Sequence, residues 1–140
     1  MEQEQYKDQI SVLLVPVGKL PKTVVIDRGL RGLQQAVGGD IEQFSPFYDE
    51  VAIICDEEGK LKGKPLNRAI YDEDSGEMIE IMAGDFLVVY APETSENYES
   101  LPPELNRKYA EKFHDPQRFC RMNGEIIAIP YQPKRDSYER

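Results

Sequence analysis

Residues 51–59, Val-Ala-Ile-Ile-Cys-Asp-Glu-Glu-Gly, set an unbroken apolar run against an abrupt polar stop. A run of that length rich in β-branched residues reads as a central strand, dry on both faces. Asp56-Glu57-Glu58-Gly59 then reads as a polar turn ending in the glycine that tight hairpins use. Working outward toward the N-terminus, Ile41 to Phe44 alternates apolar and polar, the pattern of a strand with one dry face, and Ser45-Pro46 breaks it. Toward the C-terminus, Ala69-Ile70-Tyr71, the turn 72–76 and Glu77 to Ile81 form a hairpin, and Phe86 to Tyr90 is a second strong strand.

The remaining elements follow the same rules. Ser11 to Val17 and Lys22 to Ile26 read as strands, the second rich in β-branched residues. Asp27 is placed to cap a helix, along which Leu30, Leu33, Gln34 and Val37 share a face until Gly38-Gly39 stops it. A loop spans Ala91 to Ser100, and a second helix starts at Leu101-Pro102-Pro103-Glu104, where proline fits the first turn and an acid favours the dipole. Leu105, Tyr109 and Phe113 lie on one side of it. Asp115-Pro116 is expected to cap a short further turn carrying Arg118 and Phe119, and Ile126 to Ile129 is a last strand. The sum is a single α+β domain over 1–140, mainly an antiparallel sheet of about six strands with two short helices. Its core runs from about residue 11 to 131, with polar tails at 1–10 and 132–140.

Charge is distributed unevenly. Between Ala69 and Asn106 stand ten carboxylates and no Lys or Arg, so the 16 acids and 17 bases elsewhere nearly cancel and the net charge of −9 belongs to one stretch. Such a field repels nucleic acid and membrane surfaces and attracts cationic partners. The longest apolar runs, Val12 to Val17 and Phe86 to Ala91, are far short of the roughly 20 residues of a bilayer span. The start, Met1-Glu2-Gln3-Glu4-Gln5, has no signal-peptide character, so the expected location is cytoplasmic.

The order of Val37-Gly38-Gly39, Ile41-Glu42, Cys55-Asp56-Glu57-Glu58-Gly59-Lys60, Asn67-Arg68-Ala69 and Ala83-Gly84-Asp85-Phe86 resembles a family of small bacterial and phage proteins, domain of unknown function 3846. The resemblance covers roughly Leu13 to Tyr90, with a weaker echo at Pro116 to Phe119. It implies an accessory protein of a mobile genetic element and carries no activity, cofactor or catalytic residue with it. Gly38, Gly39, Asp56, Gly59, Asn67 and Arg68 match the family pattern, and backbone needs alone explain the glycines and a turn acid.

Candidate chemistry is thin. Asp72 and Asp74 suggest a calcium loop, but Gly76 falls fifth and Ala83 twelfth, where an EF-hand needs glycine sixth and glutamate twelfth. Cys55 and Cys120 form no Cys-x-x-Cys pair, and the one histidine, His114, cannot build a multi-histidine metal site. No metal or cofactor is expected. His114, Asp115 and Cys120 lie close in sequence as a thiol with base and orienter, without any activating motif. Asp56 with Glu57 or Glu58 is an acid–base pair by residue type, though adjacent turn carboxylates are ordinarily solvated.

Three functional readings remain. The first is a non-enzymatic protein that binds a basic host protein through an acidic surface made of Asp72, Glu73, Asp74, Glu93, Glu96 and Glu99, with Tyr71, Tyr90 and Tyr98 nearby to add contact area. The second is a small-molecule or nucleotide-binding module in which Lys60, Lys62, Lys64 and Arg68 hold an anion, the three lysines sharing one face if they lie on a strand. A solvated lysine edge is the plain alternative there. The third is a small enzyme with an unrecognised carboxylate or thiol site.

Overall fold

The computed structural model describes residues 8–133; the outer parts of the expected tails, 1–7 and 134–140, lie outside them. The elements in order are β1 (Gln9–Val15), β2 (Lys22–Asp27), α1 (Leu30–Val37), β3 (Ile41–Phe44), β4 (Val51–Asp56), β5 (Leu66–Tyr71), β6 (Met78–Ala83), β7 (Phe86–Tyr90), α2 (Pro103–Lys112), β8 (Gln117–Met122) and β9 (Glu125–Pro130). β1, β2, β3, β4 and β7 form one antiparallel sheet in the order β2-β1-β7-β4-β3, and the other strands make two separate hairpins, β5-β6 and β8-β9. The two short helices and the antiparallel pairing are as the sequence implies; among the described residues the strands number nine rather than about six.

Alternation along the strands divides the core into two halves. Val12, Ala52, Ile54, Leu87 and Val89 face α1, which buries Leu33 and Val37 on them. Leu13, Val15, Val51, Ile53, Phe86 and Val88 face the opposite way, where α2 and the β5-β6 hairpin cover them with Tyr109, Phe113, Ile70 and Met82. The result is three layers, α1 on one face of the sheet and α2 with a hairpin on the other. Aromatic rings fill the second half: Phe86 meets Phe113 edge-on at 5.3 Å and Phe47 tilts against Tyr109 at 5.1 Å.

Several local expectations are corrected. Asp27 ends β2 instead of capping the helix; Gly29 holds the cap position, with no side-chain hydrogen bond. Asp56 closes β4 and is buried, and β4 leads through nine connecting residues into a different sheet, so 56–59 is no tight hairpin. Gln9 and Ile10, placed in the N-terminal tail by composition, begin β1, and Ile10 is buried. The turn expected to carry Arg118 and Phe119 is strand β8. Its driver is Asn123-Gly124, both at positive φ (52° and 82°), the two-residue turn that favours a hairpin.

Candidate functional site

The basic residues lead away from a ligand site and into the protein. Position 56 falls on the α1 face of β4, in phase with Ala52 and Ile54, so its carboxylate sits beneath the C-terminal end of α1. There it accepts from Lys62 Nζ at 2.8 Å and lies 2.7 Å from Lys64 Nζ, while the Glu58 amide donates to its other oxygen at 2.9 Å. Burial alone would raise the Asp56 carboxyl, but these donors outweigh it and hold the group far below the usual carboxylate range. The same lysines reach the orphan carbonyls of α1, with Lys64 Nζ 2.8 Å from Val37 O and Lys62 Nζ 3.4 Å from Gly38 O. Gly38 turns the chain with φ 79°, and a Cβ on Gly39 would stand 2.5 Å from Lys62 Nζ and 2.7 Å from the Asp56 oxygens. The glycine pair is what lets helix, carboxylate and lysines meet.

Arg68 does for α2 what the lysines do for α1. A β-bulge sets Asn67 and Arg68 together between the Leu66–Ala83 and Ala69–Ile81 pairs, and both residues are 1% exposed. Arg68 Nε donates to Phe113 O, at the end of α2, at 3.0 Å; its other nitrogens donate to Pro16 O, Lys19 O and the Asn67 side-chain oxygen. Asn67 in turn donates to Val15 O and Gly84 O at 2.8 and 2.9 Å. Burial pushes the Arg68 guanidinium down to about 10, which leaves it charged at neutral pH. Its acceptors are carbonyls, so the charge is solvated by protein rather than offered to a ligand.

The four basic candidates therefore form no common surface. Lys60 to Lys64 lie in successive turns and not on a strand, Lys60 pairs with Glu80, Lys62 and Lys64 are held by Asp56, and Arg68 is internal. Nearby, Cys55 borders a cleft of about 120 Å³ with Glu42, Lys60 and Glu80, smaller than the roughly 300 Å³ at which ligand pockets begin. Burial raises the Cys55 thiol to about 11, so at neutral pH it is not a nucleophile. His114 Nδ1 lies 2.8 Å from Asp115 Oδ1, while Cys120 stands on β8, about 10 Å of extended chain beyond Gln117. A larger hollow of about 720 Å³, edged by Asp8, Gln9, Asp27, Arg28, Gly29 and Asn97, includes none of the candidate residues.

The acidic candidates behave differently. The Tyr48 amide donates to Glu73 Oε1 at 2.7 Å, its hydroxyl donates to Asp74, and two residues on Glu50 Oε2 accepts from the Glu93 amide at 2.7 Å. The Glu73 and Asp74 carboxylates and the Glu93 backbone thus flank one stretch, 48–50, about 7 Å long. Asp72 is partly occupied by its own turn, accepting from the Asp74 and Ser75 amides at 3.1 and 2.8 Å, which lowers its carboxyl and accounts for it without a cation. Glu96 is exposed in the 91–100 loop, whereas Glu99 leans away to Ser95 (2.7 Å) and Arg28 (3.6 Å). Tyr48, 76% exposed, stands among these acids; sequence reading singled out Tyr71, Tyr90 and Tyr98 instead, of which Tyr90 and Tyr98 are half-buried. Asp49, inside the same stretch, is taken up by Lys108 at 2.7 Å and the Tyr109 hydroxyl at 2.8 Å.

Among the described residues no group of three or more His, Cys, Asp and Glu could hold a metal ion, and no helix is long and apolar enough to cross a membrane. Fold and site together define a small three-layer α+β domain in which Asp56, Asn67 and Arg68 are bound up in its own architecture. The chain belongs to the family described as domain of unknown function (DUF3846), whose model matches residues 10–114. That match reaches past Leu13 and Tyr90 at both ends and stops before the Pro116 to Phe119 echo. Neither the curated proteins nor the solved structures gave a match.

Proposed function

We propose that this chain is a non-enzymatic accessory protein, of the kind mobile genetic elements carry, that binds a basic partner protein through the acids around residues 48–50. One observation carries the reading: the Glu73 and Asp74 carboxylates meet at exposed Tyr48, and the exposed Glu93 is tied by its backbone amide to exposed Glu50 two residues on, whereas the basic cluster that would compete as a binding site is engaged within the fold. Exposed carboxylates around an exposed tyrosine supply both long-range attraction and contact area for a cationic surface. Such binding gains in association rate from charge and weakens with salt.

The test is capture from a bacterial host lysate by the wild-type chain and by the triple variant Glu73→Gln, Asp74→Asn, Glu93→Gln. A specific partner should elute between about 0.1 and 0.5 M salt, over which the screening length falls from about 10 Å to a few ångströms, and should be absent from the variant. A partner that the variant retains, or one whose affinity ignores ionic strength, contradicts the acidic-surface reading.

A further inference from the structure

The family match ends at residue 114, and the β8-β9 hairpin lies wholly beyond it. Its composition is unlike the rest of the surface. Met122, Ile126, Ile127 and Ile129 are 53%, 41%, 38% and 46% exposed, and the hairpin holds one carboxylate, Glu125, against Arg118 and Arg121. An isolated two-stranded sheet is marginal in water, and β9 has β8 on one side and no described strand on the other. β8 by contrast packs along β5, where Gln117 accepts from the Ala69 amide at 2.8 Å.

The open edge can be read residue by residue. A two-residue turn makes Met122–Glu125 a hydrogen-bonded pair, and alternation makes Cys120–Ile127 and Arg118–Ile129 the next ones. Ile126 and Ala128 therefore direct their N–H and C=O away from β8. Protected edges carry lysine, an inward charge or a mid-strand proline. β9 has none of these from Ile126 to Ile129.

We infer that β9 pairs antiparallel with β9 of a second copy, centred on Ala128, to give a continuous sheet β8-β9-β9-β8. In that register Ala128 faces Ala128, each Ile127 faces the other copy's Ile129, and the Ile126 amide donates to the other copy's Pro130 carbonyl. Charge selects both the occupant and the strand. The contact falls on a part of this acidic chain that lacks its carboxylates, no like charges meet along β9, and full two-fold pairing through β8 would set Arg118 against Arg121. A six-residue edge about 20 Å long buries less than the roughly 1,200 Å² of stable dimers, so association is weak and concentration-dependent.

Sedimentation velocity on the full chain from about 5 to 500 µM, the range suited to a weak interface, should show monomer converting to dimer, and Ile127→Lys should remain monomeric. In parallel, amide exchange of the wild-type chain should show Ile126 and Ala128 unprotected when dilute and slowed severalfold when concentrated, with Ile127 and Ile129 protected throughout. The exchange data decide the matter if the lysine variant does not fold. A monomer at all concentrations, a dimer that Ile127→Lys leaves intact, or self-association with Ile126 and Ala128 unchanged would each overturn the inference.

Discussion

The two ends of the five-stranded sheet treat their charges in opposite ways. At the end where α1 and α2 stop, Asp56, Lys62, Lys64, Asn67 and Arg68 bind one another and helix or loop carbonyls. At the end marked by Val51 and Tyr90, Glu73, Asp74 and Glu93 are exposed, the first two bonded to Tyr48 and the third joined to Glu50 through its backbone amide. The arrangement at the first end is explained by terminating two helices and fastening a bulged hairpin to the sheet. The acids at the other end hold turns and loops at the surface rather than buried helix ends, and their exposure makes that end the better place to look for a partner.

The contrast can be broken most forcefully at Arg68. Arg68→Met leaves the carbonyls of Pro16, Lys19 and Phe113 without their donor in a dry site, and should lower unfolding free energy in urea by about 4 kcal/mol. A loss below about 1 kcal/mol would mean that the buried guanidinium is dispensable. Next in size is Gly39→Ala, whose added methyl meets Lys62 and Asp56; a cost of about 2 kcal/mol is expected because the ion pair must part. A neutral result would show that the lysines are free to move.

Acid unfolding sharpens the same point. Asp56 binds its proton less readily in the folded chain than when unfolded, so its contribution is complete above about pH 5, begins to fall in the ordinary carboxylate range and is gone only once pH passes the far lower value of the folded group. Asp56→Asn should consequently show a shallower fall in stability between about pH 5 and 3 than the wild type. The smallest test is chemical: a thiol reagent at neutral pH should label exposed Cys120 rapidly and buried Cys55 only after unfolding. Fast reaction of both would place Cys55 in an open site.

Much of the scaffold was legible because its signals are local. The runs 51–55 and 86–90 and the prolines that open α2 each fix an element through backbone preference and burial, whereas β3 forms without the one dry face expected of 41–44, since Ile41 and Phe44 pack into opposite halves of the core. The polar end was not, because its meaning depends on contacts between distant segments. Asp56 looks like a turn acid until strand phase places it under α1, and Lys60 to Lys64 look like a solvated edge until the chain folds back onto that carboxylate. Gly38-Gly39 was the available hint, since one glycine stops a helix and the second needs a further reason. Asn123-Gly124 was plainer still, a two-residue hairpin turn followed by Ile126-Ile127. The bulge that buries Arg68 has no signature in Leu66-Asn67-Arg68-Ala69.

The most direct measurement places the two ends side by side: urea unfolding at pH 7 of Asp56→Asn and of Glu73→Gln, Asp74→Asn, Glu93→Gln. Division of labour predicts a loss of about 2 kcal/mol for the single buried substitution and a change within about 0.5 kcal/mol for the triple surface one. A triple variant that is destabilised as much as Asp56→Asn would contradict it, because the acids would then be holding the fold together rather than waiting for a partner.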